Sequence, residues 1–215
     1  DPPVGDKHGS RFHPKRTRIV ALYTQPPAGA TILSVDELGP VTPRNFPPAP
    51  GWPPDGHRIK APLNYDRGLE KTWVYGALCV RNGQVLTQTA PARNTAGNLA
   101  LLQTLAHAYP HGDLCLIADN LSSHTSGPVR DWLAAHPRIQ HAFIPVGAAW
   151  LNLIEGWWRL FRRKAFAGAS LANADDIAYA TRIATAQLNR HAKPWVWGRP
   201  PPPHRTLRRC FAYRL

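Results

Sequence analysis

The chain has 215 residues, 43% of them hydrophobic, with eight Trp and a formal net charge of +13. That is enough to bury one full core, and the charge points to a polyanionic partner, nucleic acid before an anionic membrane surface. No apolar run approaches the ~18 residues of a bilayer span, DPPVGDKHGS has no signal-peptide core, and Cys79, Cys115 and Cys210 lack metal-ligand spacing, so a reducing cytoplasmic setting is expected.

Residues 7–18, KHGSRFHPKRTR, are basic and broken by His and Pro, and predict an exposed arm or linker. Residues 30–39, ATILSVDELG, predict a short apolar strand that ends in Asp36 and Glu37 and is stopped by Gly39 and Pro40. Seven prolines crowd residues 40–54, with Trp52 among them, and predict a loop in place of a central strand or helix. Residues 72–80 and 84–89 flank Asn82 and Gly83, the signature of a hairpin with a type I′ turn. Residues 94–109 carry helical spacing through Leu99, Leu102, Leu105 and Ala106.

Residues 113–118 predict a strand that delivers Asp119 and Asn120 to its tip, followed by a hydroxyl-rich turn ending in His124. Ser126 before Gly-Pro predicts a helix start, and residues 139–145 a short strand closed by proline. Leu151, Ile154, Trp158, Phe161 and Ala165 form the stripe of a core-facing helix, and another helix covers roughly residues 173–190. GRPPPPHRTLRRC closes the chain as an extended basic tail. The order is strand, hairpin, helix, strand, helix, strand, helix, helix, which predicts an α/β fold with a mixed central sheet flanked by helices.

Three of the thirteen acids stand at chemically useful places. Asp36 and Asp119 end two strands, where ligands collect in open α/β sheets, and Glu155 sits beside the apolar stripe of its helix. Hard oxygen ligands around an open cavity suit Mg²⁺ or Mn²⁺. Each acid also has a structural reading. Asp36 can cap the Gly39–Pro40 turn, and Asp119 can bond within its own turn. Glu155 can close a capping box with Asn152, or pair with Arg159 one helical turn later.

Three blocks, SVDELG, LCLIADNLSSH and AAWLNLIEGWWRLFRRKAF, resemble the signature blocks of DDE transposases, in the bacterial insertion-sequence branch related to mariner elements. They stand in the family's order, thirty-five residues separate Asp119 from Glu155, and the likeness extends over roughly residues 12–198. Leu153 stands where many relatives have Pro, and the helix-turn-helix region that relatives carry at the N-terminus is not in this chain.

The resemblance implies a ribonuclease H-like fold and metal-dependent DNA cleavage and strand transfer. It implies Asp36, Asp119 and Glu155 as catalytic metal ligands for two Mg²⁺ or Mn²⁺ ions, and double-stranded DNA, as transposon ends and target, as the partner. Asn120 and His124 are candidates to position water, metal or phosphate. Arg159, Arg162, Arg163 and Lys164 are candidate DNA contacts. Packing is the expectation for Trp157. A basic arm (1–28), a catalytic domain (29–192) and a Pro/Arg-rich tail (193–215) make up the expected organisation, with a homodimer left open. The rival readings are a DNA-binding relic without catalysis and another ribonuclease H-like nuclease.

Overall fold

Ile32, Leu33, Ser34 and Val35 are all buried, so the run Thr31–Val41 (β1) can only sit inside a sheet covered on both faces. The computed structural model describes residues 9–44 and 70–198. Trp52, most of the proline-dense stretch and the tail with Cys210 lie outside the described residues.

β1 is the middle of five strands, in the order β3-β2-β1-β4-β5. β2 (Thr72–Cys79) and β3 (Val85–Ala90) are antiparallel to their neighbours. β4 (Leu114–Ala118) and β5 (Ile139–Phe143) run parallel to β1. Among the described residues five α-helices flank the sheet: α1 (Gly9–Thr24), α2 (Thr95–Ala108), α3 (Gly127–Ala134), α4 (Ile154–Ala165) and α5 (Ala174–Asn189). This is the mixed, helix-flanked sheet of a ribonuclease H-like fold. Among the described residues no helix is long and apolar enough to cross a membrane.

Strand alternation divides the core. Leu33 and Val35 face α2 and α3, meeting Leu101, Leu102, Leu105 and Val129. Ile32 faces the other way, toward Ile19 and Tyr23 of α1, and Leu38 meets Ile154, Trp158 and Phe161 of α4. Full burial of one such side chain is worth roughly 1.5–3 kcal/mol, so α4 is held mainly by its apolar stripe.

Four local expectations change. The stretch predicted as an exposed arm lies largely within α1, where Pro14 is tolerated and Ile19 and Tyr23 anchor the helix to the sheet. β1 continues past Gly39 and Pro40 to Val41, with a register shift after Leu38 that absorbs the pair. The hairpin forms, but among its turn residues Gly83 alone takes a positive φ, of 74°. Asn82 does not, so the turn is not type I′, which needs both. Finally, α4 starts at Ile154 with Leu153 at its N-cap, and no side chain caps it.

Candidate active site

Asp36, expected at a strand end, lies in the middle of β1 because the strand continues to Val41, and Asp119 lies just past the end of β4; register brings the two level. β1 pairs with β4 up to Ser34 opposite Ile117, and two further residues along that register set Asp36 level with Asp119. On its other side Asp36 lies opposite Gly76 of β2. A Cβ at Gly76 would sit 2.5 Å from Trp158 Cη2, so glycine alone leaves room for that indole. Trp158 Nε1 donates to Asp36 Oδ2 at 3.0 Å.

Glu155 is brought to Asp36 by a polar latch at the start of α4. Ser34 Oγ donates to Asn152 Oδ1, Asn152 Nδ2 donates to the Val35 carbonyl at 2.9 Å, and Ile154 N–H donates to Ser34 Oγ at 3.1 Å. Tyr23 Oη adds a bond to the Leu151 carbonyl at 2.9 Å. Asn152 therefore fastens the helix to β1, and the capping box does not form. Among the described residues Glu155 makes no ion pair with Arg159 either. Its carboxylate is exposed.

Electrostatics mark Asp36. Burial, then repulsion from Glu155, push its carboxyl up from 3.8 to about 7. Among the described residues neither Asp36 nor Glu155 has an ion-pair partner. Asp119 is treated in the opposite way. His124 Nδ1 bonds the Asp119 carbonyl at 3.2 Å and lies at ion-pair distance, 3.2 Å, from Asp119 Oδ1; the Leu121 N–H donates to that oxygen at 3.1 Å, and the carboxyl is held below its ordinary value, first by His124.

His124 is 2% exposed, and its Nε2 lies 2.9 Å from Glu37 Oε1. Burial alone would strip its proton, but the bonds to Asp119 and Glu37 and the Glu37 charge hold it on, up to about 10. The imidazolium is thus clamped between a buried carboxylate and the tip of β4.

Asp36 and Glu155 come together, and Asp119 ends the neighbouring strand with its carboxylate turned to His124. As they stand, among the described residues, no three His, Cys, Asp or Glu side chains form a group that encloses a metal ion. The donor chemistry nonetheless fits a hard divalent cation: the Asp36–Glu155 pair is short of exactly the positive charge such an ion carries.

The other candidates separate. Arg159, Arg162 and Arg163 line an open groove of about 860 Å³ between the end of β1 and α4, with Glu155 and Trp158 on its wall. Lys164 lines a different groove, with Arg190 and Lys193. Asn120 spends its Nδ2 on the Ile144 carbonyl at 2.6 Å, tying the ends of β4 and β5. Trp157 is buried, packed on Phe161.

Sequence reasoning missed Glu37, Ser34 and Gly76. The Asp-Glu doublet held the signal for Glu37: adjacent strand residues face opposite sides, so a second acid enters the opposite core and needs a partner. Nothing local marks Ser34 or Gly76, whose partners lie on another element.

A family model described as DDE superfamily endonuclease matches residues 31–178. The chain is also 30% identical over 91 residues to a Shigella sonnei protein named "Insertion element IS630 uncharacterized 39 kDa protein". That match covers 42% of this chain and 26% of the relative, about a quarter of its length.

Proposed function

The chain belongs to the DDE superfamily of endonucleases, and on that footing we propose that it is the catalytic domain of a DNA transposase, cutting DNA strands and joining a 3′ end to a new site. Asp36, Asp119 and Glu155 are the proposed ligands of Mg²⁺ or Mn²⁺, two ions in this reading, which when bound activate a water or a DNA 3′-hydroxyl and stabilise the leaving oxygen. The chain's own residues prepare that site. Trp158 pins Asp36 Oδ2. The Ser34–Asn152 latch fixes Glu155 beside it. Glu37 and His124 set the orientation of Asp119.

Duplex DNA is the proposed partner, as transposon ends and target, with its phosphates on Arg159, Arg162 and Arg163 along the groove beside Glu155. The catalytic unit is assigned to residues 29–192, with residues 1–28 and 193–215 as basic flanks. α1, and Trp195 through its N–H bond to the Val80 carbonyl at 3.0 Å, buttress that unit from both flanks.

The observation that carries this reading is the half-buried Asp36 carboxylate beside Glu155, with no ion-pair partner among the described residues. The relic reading has one observation in its favour, the engagement of Asp119 by His124 and the Leu121 N–H. Incubating the chain with end-labelled duplex DNA and Mn²⁺ separates the two. Nicked or joined products that vanish in Asp36→Asn and in EDTA are expected. A wild-type chain that binds DNA and never cuts it, with metal at saturation, would leave the relic reading standing, and preference for an RNA–DNA hybrid would favour the nuclease.

A further inference from the structure

Past the tip of β4, at the starts of α2 and α3 and so on the sheet face opposite α4, lies a further pocket, of about 550 Å³. Its lining includes Arg93, Thr95, Ser122, Ser123 and Ser126 and no carboxylate. Two helices begin there, α2 after its N-cap Asn94 and α3 after its N-cap Ser126. The first-turn N–H groups of a helix carry partial positive charge and favour an anion.

The lining is short of acceptors. Asn94 Oδ1, the side-chain acceptor at the α2 end, already takes the Gly97 N–H at 2.9 Å. Ser126 does not cap α3; its Oγ donates to the Ser123 carbonyl at 3.2 Å. Ser123 itself is 7% exposed, yet among the described residues its buried Oγ has no hydrogen-bond partner. A buried hydroxyl left unmade is costly, and Ser123 is among the residues that line this pocket. Arg93 supplies the formal charge. Its guanidinium rests over the Trp73 ring at 4.7 Å and lies near enough to Asp119 to favour that carboxylate's charged form.

We propose that this pocket is a phosphate subsite that takes a backbone phosphodiester of bound DNA. The ligand chemistry, a tetrahedral oxyanion met by a guanidinium, hydroxyl donors and helix N–H groups, follows from the pocket; that the oxyanion belongs to DNA rests on the reading of the chain as a DNA-processing enzyme. The subsite places a second phosphate contact across the candidate active site from the α4 arginines. DNA is then gripped on both sides of the carboxylates.

The test pairs a charged and a neutral change, Arg93→Gln and Ser123→Ala, and reads binding of a short labelled duplex by fluorescence anisotropy over a salt series. Arg93→Gln is expected to flatten the slope of log K against log salt by about one phosphate contact. Ser123→Ala carries no charge and is expected to weaken binding about tenfold without lowering Tm, because the hydroxyl it removes supports nothing in the fold. Unchanged DNA binding in Ser123→Ala, with Tm equal or raised, overturns the proposal. So does competition by inorganic phosphate that both substitutions abolish while duplex binding stays intact, since the site would then hold free phosphate and not DNA. The Mn²⁺ response of the same two variants keeps the readings apart. If Mn²⁺ still raises Tm while the DNA effects are missing, the subsite fails and the active-site reading stands.

Discussion

Asp36→Asn tests the active-site reading through stability, independent of any turnover. The folded protein holds the Asp36 proton up to about pH 7, against 3.8 for an ordinary aspartate. Between those values the native state binds more protons than the unfolded chain, so this residue's contribution to stability falls as pH rises from about 4 to 7. The displacement corresponds to about 4 kcal/mol once pH exceeds both values. Asn carries no charge there, and its side-chain oxygen can still accept the Trp158 N–H. In EDTA at pH 8 the Asn variant is expected to melt roughly 8–16 °C above the wild type, with the gap closing toward pH 4. Titrating groups that do not interact with Asp36 are common to both proteins and cancel in the difference; the repulsion with Glu155 is removed along with the Asp36 charge. Mn²⁺ should reverse the order, because it binds the charged wild-type site and finds no full ligand set in the variant. Thermal melts across pH, with and without Mn²⁺, provide the measurement. A variant less stable than wild type at pH 8 in EDTA, or one with an undiminished Mn²⁺ gain, would refute the reasoning.

Gly76→Ala is expected to cost about 1–3 kcal/mol in denaturant melts, since its Cβ would press on Trp158 Cη2 from 2.5 Å, and to abolish DNA cleavage by displacing the indole that pins Asp36. His124→Leu leaves the Glu37 carboxylate buried without its partner and should destabilise by about 3–5 kcal/mol, while the double change with Glu37→Gln should recover much of that loss; the double-mutant cycle reads the coupling. Charge reversal at Arg162 and Arg163 is expected to lower duplex affinity and flatten its salt dependence, with Tm within about 1 °C of wild type because both side chains are exposed.

Much of this architecture was legible before any coordinates, and the reason is local. The strands and helices carry their period in their own residues, as in the α4 stripe, and Asn94 and Asn173 cap α2 and α5 from the adjacent position. What escaped depends on partners distant in sequence. Residues 9–24 look like a basic arm until Ile19 and Tyr23 are seen against β4 and β5. Asn152 satisfies every local criterion for a helix cap, yet Ser34 and Val35, over a hundred residues earlier, claim its amide. Asp119 was legible as a strand-end residue and Glu155 as a helix-rim residue, whereas Asp36, expected at a strand end, sits in the middle of β1. That Asp119 leans on His124 while Asp36 leans on nothing cationic was not, because it turns on which side of each strand tip the neighbours occupy.

The contrast between Asp36 and Glu37 carries the most information about what the site lacks. They are consecutive, both are largely buried, and strand alternation sends them to opposite faces. On the α2 face the fold supplies Glu37 with a cation of its own, His124, at 2.9 Å. On the α4 face it supplies Asp36 with a neutral indole donor and a second carboxylate, Glu155, which raises the cost of its charge. A fold that only needed a stable acid at this position had a working solution one residue away. A largely desolvated carboxylate facing a second, exposed one without a cation costs stability, and an arrangement of that kind is explained when the cation comes from solution. The arginines of α4 do not fill the role, since among the described residues none forms an ion pair with either acid and all three line the groove beyond Glu155. In the proposed function, the arginine charge meant for DNA phosphates is therefore kept apart from the carboxylate charge meant for a metal.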